Sequence, residues 1–298
     1  MLPGGLTPLE GGHSGETFLA DATGEPVVVR IYGARSAKAG PTKIDIDAAV
    51  LRLVRGLLPV PGILELRRPD FEADVPAVLV TERMPGTRLD LVLPEADPGL
   101  RRRIGEELGG LLNTLSGMPF LSPGRFEDAE LRVGSWGPEC ADLRTFVEHL
   151  APRSALAGWA ENDLSALLEM ADHAQDLLDP IGRTCLVHSD FNPKNLLVDP
   201  ESGRITALLD WEFAHAGSPV ADLGNLLRFD RDPELVDGVL SVFAAPDVEG
   251  DLVELGHAAD LWALVELASR RTENPISERA HQRLVAITRS RRLDSVSR

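Results

Sequence analysis

Over the first eighty or so residues, apolar positions come in short runs cut by turn residues, which predicts strands and turns with one helix. Leu9 to Leu19 reads as a strand interrupted by Gly11-Gly12-His13-Ser14-Gly15, and Pro26 to Tyr32 is a β-branched run. Ile44 to Leu58 carries helical apolar spacing, and Pro61 to Arg67 and Pro76 to Glu82 predict two further strands. The last of these ends in Glu82-Arg83-Met84-Pro85-Gly86, where Pro-Gly is a strong breaker. A division into an N-terminal lobe, residues 1–84, and a larger lobe, residues 87–298, is expected around a hinge at 82–86. From Pro98 the period becomes helical: Pro98 to Leu115, Cys140 to Leu150, Glu161 to Leu178, Pro219 to Arg228, Glu234 to Phe243 and Asp251 to Arg271. One β island interrupts them at Thr184 to His188, Asn195 to Val198 and Ile205 to Leu209, runs too short for free-standing helices. The pattern predicts an α+β fold, with a small antiparallel sheet and one main helix ahead of a mostly helical lobe.

Composition narrows the function. A formal net charge of −17 disfavours nucleic acid and anionic membranes as partners, and it serves solubility or the attraction of cationic small molecules. No basic leader and no run of roughly eighteen apolar residues occurs, so neither a signal peptide nor a membrane span is expected. Cys140 and Cys185 form no CxxC pair and no zinc-type spacing with histidine, which fits a reducing, cytoplasmic setting.

The segment that carries chemistry is Leu186 to Glu212. It holds His188, Asp190 and Asn195 in the arrangement H-x-D-x-x-x-x-N, followed by Asp210 at the end of an apolar strand. Phosphoryl transfer needs an acceptor hydroxyl to be oriented and its proton received, and a metal to be held against the nucleotide phosphates. Asp190 suits the first task, and Asn195 with Asp210 the second. One amide and one carboxylate, completed by nucleotide oxygens and water, are an adequate set for magnesium. The competing reading is two polar turns capping a small sheet, which does not call for an acid, an amide and a second acid around apolar strands.

His188-Ser189-Asp190-Phe191-Asn192-Pro193-Lys194-Asn195 with Asp210-Trp211-Glu212 resembles the catalytic signature of the aminoglycoside phosphotransferase and choline kinase-like family. Leu9 to Phe18 is similar to that family's nucleotide-covering loop, Val28-Val29-Arg30 to its third strand, Asp47 to Leu51 to its N-lobe helix, and Val80 to Gly86 to its hinge. The resemblance implies a bilobal protein kinase-like fold and the use of ATP and Mg2+. It places Gly12, His13, Ser14 and Gly15 over the nucleotide, Arg30 at its phosphates, and backbone near Glu82 and Met84 at its base. It implies Asp190 as the catalytic residue, Asn195 and Asp210 as metal ligands, and His188 as an anchor of the loop. Asp47 is expected to fork with Arg30, with Asp45 as its rival, although Arg and Asp stand where protein kinases have Lys and Glu. Ser189 beside the catalytic position, and only about ten residues between Glu212 and Asp222, argue against a protein kinase switched by loop phosphorylation. Lys194 is a candidate to neutralise the moving phosphoryl group, and Asp222 either caps a helix or ties down the catalytic loop.

The acceptor is expected between the catalytic loop and the helices of the large lobe. Glu139, Asp142, Glu148, Asp260 and Glu266 are candidate carboxylates for a cationic, hydroxylated acceptor of the antibiotic type. An aromatic cage for choline is disfavoured by the single Tyr and 5% aromatic content. A metabolic kinase acting on an amino alcohol, sugar or homoserine-like compound is the alternative. A nucleotide-binding regulator without transfer activity is a third reading, and the complete set of Asp190, Asn195 and Asp210 speaks against it.

Overall fold

Alternation along the run Glu25–Tyr32 decides the architecture of the first lobe: Val27 and Val29 are buried on one face, while Val28, Arg30 and Tyr32 face a cleft on the other. The computed structural model describes residues 5–9, 17–22, 24–33, 40, 42–70, 72–229, 231–271 and 274–295. Strands β1 (Thr7–Pro8), β2 (Thr17–Ala22), β3 (Glu25–Tyr32), β4 (Ile63–Arg67) and β5 (Ala77–Glu82) form an antiparallel sheet in the order β1-β2-β3-β5-β4. Arg30 pairs in register with Leu79 and Val28 with Thr81, so the cleft face of the sheet continues across both central strands. Helix α1 (Lys43–Val54) buries Ile44, Val50, Leu51 and Val54. It stops short of the expected Leu58 because Gly56 takes a left-handed turn at φ 86°.

At the expected hinge, Gly86 has φ 118°, and a Cβ there would lie 2.3 Å from Thr206 Oγ1. Thr206 Oγ1 donates to Pro85 O at 2.6 Å, so the chain turns against the following lobe at a position only glycine fits. Strand β6 (Thr87–Arg88) and helix α2 (Leu89–Val92) come next, and then α3 (Pro98–Ser116), capped by Asp97. Strands β7 (Gly124–Phe126) and β8 (Val133–Gly134) form a hairpin before α4 (Leu143–Leu150) and α5 (Glu161–Leu178). The β island is β9 (Cys185–Val187), β10 (Leu196–Val198), β11 (Ile205–Leu208) and β12 (His215–Gly217). Its strands are shared between two small sheets, β11-β10-β6 and β8-β7-β12-β9. The chain closes with α6 (Ala221–Leu226), α7 (Pro233–Val242), α8 (Leu252–Ser269) and α9 (Pro275–Ser290).

One apolar cluster runs from Tyr32 and α1 through α3 and the β island to α7, and a second joins α4, α5, α8 and α9. Helix α8 buries residues on every side, which places it at the centre of the second cluster. Helix α9 was not expected, since Ser, Glu, Arg and Gln dilute its apolar positions. Its buried stripe of Ala280, Leu284 and Ile287 nonetheless has helical spacing behind an Asn274 cap and Pro275. Among the described residues, no helix is long and apolar enough to cross a membrane.

Candidate active site

The loop after β9 is fixed by buried polar contacts. Asp222, 3% exposed at the start of α6, accepts from the backbone N–H groups of His188 and Ser189, both at 2.8 Å. Asp222 therefore ties down the loop, the second of the two roles its sequence position allowed. Burial pushes its carboxyl up to about 7, against the pull of those two N–H groups. Ser189 is held at φ 70°, a left-handed conformation that aims the next residue into the cleft. The His188 ring is fully buried and burial lowers its pKa, so it is neutral. Its Nε2 lies 2.9 Å from Leu209 O, and its Nδ1 accepts from Asp190 N at 3.2 Å, which fixes the Nε2–H tautomer. His188 is thus a brace between two loops with no proton to exchange with a ligand.

Two amides hold the Asp190 carboxylate. Asn192 Nδ2 donates to Oδ1 at 2.7 Å, and Asn195 Nδ2 donates to Oδ2 at 2.7 Å. Asn192 also caps the 3-10 turn Pro193–Asn195 through Lys194 N, so sequence order and side-chain order are locked together. Leu209 N donates to Asn195 O at 2.8 Å, which brings Asp210 beside Asn195 across the β10-β11 pair. Asp210 is left-handed at φ 63° and turns its carboxylate toward the first lobe. Asp190, Asn195 and Asp210 all line one cleft of about 1090 Å3, together with Arg30, Glu82 and Met84.

Arg30 crosses that cleft to pair with Asp210 at 3.0 Å and, in a shorter contact, with Glu212. Burial works against the guanidinium's charge, but Asp210 and Glu212 outweigh it and hold its pKa above the ordinary arginine value. Burial and the neighbouring Asp210 push the Glu212 carboxyl up, opposed by Arg30 and Lys43. The expected fork between Arg30 and Asp47 is not formed. Asp47 accepts instead from Lys43, one turn earlier on the same face of α1, and from Tyr32 Oη at 2.7 Å. Asp47 remains in the cleft wall behind Arg30, whose guanidinium carbon lies 5.4 Å from the centre of the Tyr32 ring. The rival, Asp45, pairs with Arg68 at 2.9 Å. Lys43 also donates to Glu212 O at 2.7 Å, joining α1 to the turn after Asp210. Glu82 accepts from Gly62 N at 2.8 Å through its side chain, and its own N–H donates to Gly62 O. Gly12, His13, Ser14 and Gly15 lie outside the described residues.

The donor set suits a hard divalent cation in a limited way. Asn195 spends its Nδ2 on Asp190, and no donor reaches its Oδ1 among the described residues. Asp210 supplies a carboxylate beside it. No cluster of three or more His, Cys, Asp or Glu able to hold a metal occurs among the described residues. An amide and a carboxylate leave most of an octahedral shell to water and to oxygens of a second ligand.

The acceptor side departs from expectation. Of the five candidate carboxylates, only Glu266 lines the cleft, and it pairs with Arg270 at 3.3 Å. Asp260 is 1% exposed and enclosed by Arg228 and Arg283. Asp142 caps α4 by accepting from Thr145 N, Glu148 pairs with Arg144, and Glu139 is not among the cleft residues. The sequence reading missed Arg228, Arg270 and Arg279 in this wall, and missed Glu212 as the partner of Arg30. The D-x-E spacing after β11 was visible in the sequence, whereas the convergence of arginines from three helical segments has no local signal.

Comparison with known proteins bears on the fold and the family. The chain is similar to the aminoglycoside 3'-phosphotransferase of Streptomyces ribosidificus, 30% identical over 186 residues covering 61% of this chain and 64% of that protein. It is also similar to mouse acyl-CoA dehydrogenase family member 10, 25% identical over 220 residues, 73% of this chain but 20% of that longer protein. The match to the chicken acyl-CoA dehydrogenase family member 11 is 35% identical over 71 residues, 24% of this chain and 9% of that protein. Among solved structures, a ternary complex of aminoglycoside phosphotransferase APH(4)-Ia with ADP and hygromycin B superposes with a TM-score of 0.65. It has 19% identity and covers 96% of this chain and 94% of that one, which makes the shared feature the bilobal kinase-like fold. The model of the phosphotransferase enzyme family matches residues 5–250, and with most of its length inside that match the chain belongs to this family.

Proposed function

We propose that the chain transfers the terminal phosphoryl group of ATP, with Mg2+, to a hydroxyl of a small molecule. The observation that carries this reading is the clamp of Asn192 and Asn195 on Asp190, with Asn195 and Asp210 side by side in the same cleft. Asp190 orients the acceptor hydroxyl and receives its proton, its two amides fixing which way its oxygens face. Asn195 Oδ1 and Asp210 hold the metal, which neutralises charge on the phosphates when bound. Arg30 offers its charge to the same phosphates, backbone near Glu82 and Met84 receives the base, and residues 12–15 cover the nucleotide. On this reading residues 1–84 serve the nucleotide and residues 87–298 the acceptor. Two free cysteines, one of them buried, fit a cytoplasmic setting.

The acceptor is a hydroxylated metabolite in the reading the cleft favours, because four of the five expected carboxylates are absent from its wall. A cationic, aminoglycoside-type acceptor is the rival, supported by the relatives named above. Release of ADP from MgATP, followed across a panel of aminoglycosides, macrolides, amino alcohols, sugars and hydroxy acids, separates the two. Asp190→Ala should lower turnover by about a thousandfold while nucleotide binding persists. Asp210→Ala should lose metal-dependent nucleotide binding as well. Stabilisation by MgATP with transfer to no acceptor would instead favour the regulator reading, and equal loss of nucleotide binding in both variants would reverse the assigned roles.

A further inference from the structure

We infer that the acceptor carries an anionic group, a carboxylate or a phosphate, received by Arg270 and Arg279 at the α8–α9 end of the cleft. This rests on the kinase reading and specifies its acceptor. In a chain with a net charge of −17, the wall facing the catalytic loop is cationic. Its Arg101 is neutralised by Asp232 at 2.6 Å, and Arg270 shares an exposed contact with Glu266 at 3.3 Å, which an incoming anion can displace. Arg279 rests on the Phe229 ring with its guanidinium carbon 4.5 Å from the centroid, and no carboxylate pairs with it among the described residues. At the back of this wall Arg228, and behind it Arg283, share the single carboxylate of Asp260, and His257 beside them is neutral. The buried cluster thus carries one excess positive charge directly behind the cleft. Asn225, 6% exposed and in the same wall, has its Oδ1 buried without a partner, an acceptor suited to a non-reacting hydroxyl or amide of the same ligand. A polycation entering here would have to take Glu266 from Arg270 or Asp232 from Arg101 to reach a carboxylate of this wall, whereas an anion gains charge-assisted hydrogen bonds at once.

The first test uses probes and needs no knowledge of the natural acceptor. Melting of the protein with ADP and Mg2+ is followed against inorganic phosphate, glycerate and kanamycin at constant ionic strength, for the wild type and for Arg279→Gln. Saturable stabilisation of the wild type by phosphate or by glycerate is expected, with the midpoint weakened about tenfold or more in Arg279→Gln. The arm that saturates tells phosphate from carboxylate. Superimposed anion curves for the two proteins, or stabilisation by kanamycin alone, would overturn the inference while leaving the kinase reading in place. Absence of any nucleotide binding would remove both. For an acceptor that turns over, Arg279→Gln should raise KM more than it lowers kcat, and Arg279→Lys should recover part of the loss. An unchanged KM would exclude this arginine from acceptor binding whatever the stability of the variant.

Discussion

At the scale of single residues, the two asparagines on Asp190 divide between them tasks that the sequence pattern cannot separate. Asn192 spends its nitrogen on Asp190, carboxylate and backbone carbonyl alike, and its oxygen on the turn it caps, whereas Asn195 spends its nitrogen on Asp190 and keeps an oxygen that no donor reaches among the described residues. Asn192→Ala should therefore lower kcat about tenfold without shifting the magnesium requirement, the loss being one oriented hydrogen bond to a charged group. Asn195→Ala should lower kcat and also raise the magnesium concentration that gives half-maximal rate. Steady-state kinetics over a magnesium titration checks both, and a parallel shift in magnesium dependence for the two variants would show that Asn192 also reaches the metal. His188 illustrates a different point, because its chemistry is decided by burial. With Nε2 committed to Leu209 O and Nδ1 to Asp190 N, the ring couples the Asp190 loop to the segment just after β11 that carries Asp210.

At the scale of elements, helix α3 meets α7 through glycines. A Cβ at Gly105 would lie 2.3 Å from Leu235 O, and one at Gly238 2.3 Å from Arg102 O, both backbone atoms that cannot rotate away. Gly110, on the same helix, has nothing within 4 Å of its Cβ position. Gly105→Ala should therefore destabilise the protein by about 1–3 kcal/mol through overpacking. Gly110→Ala should stabilise it by up to about 1 kcal/mol through helix propensity. Chemical denaturation of the pair measures the difference, and equal effects of the two changes would mean the helices separate at no cost. Helices α3 and α5 are legible from sequence because each has a long periodic stripe and, for α3, an Asp97 cap ahead of Pro98, and α8 because its apolar stretch is too long for a strand. Strands β7, β8 and β12 are two or three residues long, too short for alternation to show, and β12 pairs with β7 about ninety residues earlier, so no local pattern marks them. The candidate site divides in the same way. Asp190, Asn195 and Asp210 lie within one short segment and its spacing carries them, whereas the partner of Arg30 depends on which lobe face it meets. Nothing in the run VVVRIY chooses Asp210 and Glu212 over Asp47.

At the scale of the whole molecule, the buried cluster behind the cleft links charge balance to stability. His257, 3% exposed, accepts from Arg283 Nη2 at 3.2 Å through Nδ1, a contact that exists only while the ring is neutral. Burial first, then the charges of Arg231 and Arg283, lower its pKa to about 3, with Asp294 pulling the other way. Between pH 3 and its ordinary 6.5 the unfolded chain binds a proton at this site that the folded chain refuses. Stability from this group is therefore complete above the ordinary value and falls by about 1.4 kcal/mol per pH unit as acid is added through that window. Asp222 acts in the opposite sense. Its carboxyl is held up to about 7, so the folded chain keeps a proton that the unfolded chain releases, and stability is lost as pH rises from 3.8 toward 7. The two slopes oppose each other between pH 4 and 6.5, and the net pH dependence of the wild type identifies neither. The difference between variants does. His257→Gln, which keeps an oxygen able to accept from Arg283, should remove the acid-labile part, so that between pH 6 and 4.5 it loses about 2 kcal/mol less than the wild type. Urea unfolding at the two pH values measures that difference. If the two proteins lost stability in parallel, His257 would be shown to take up its proton in the folded state, and the excess charge assigned to the cluster would have to be raised by one.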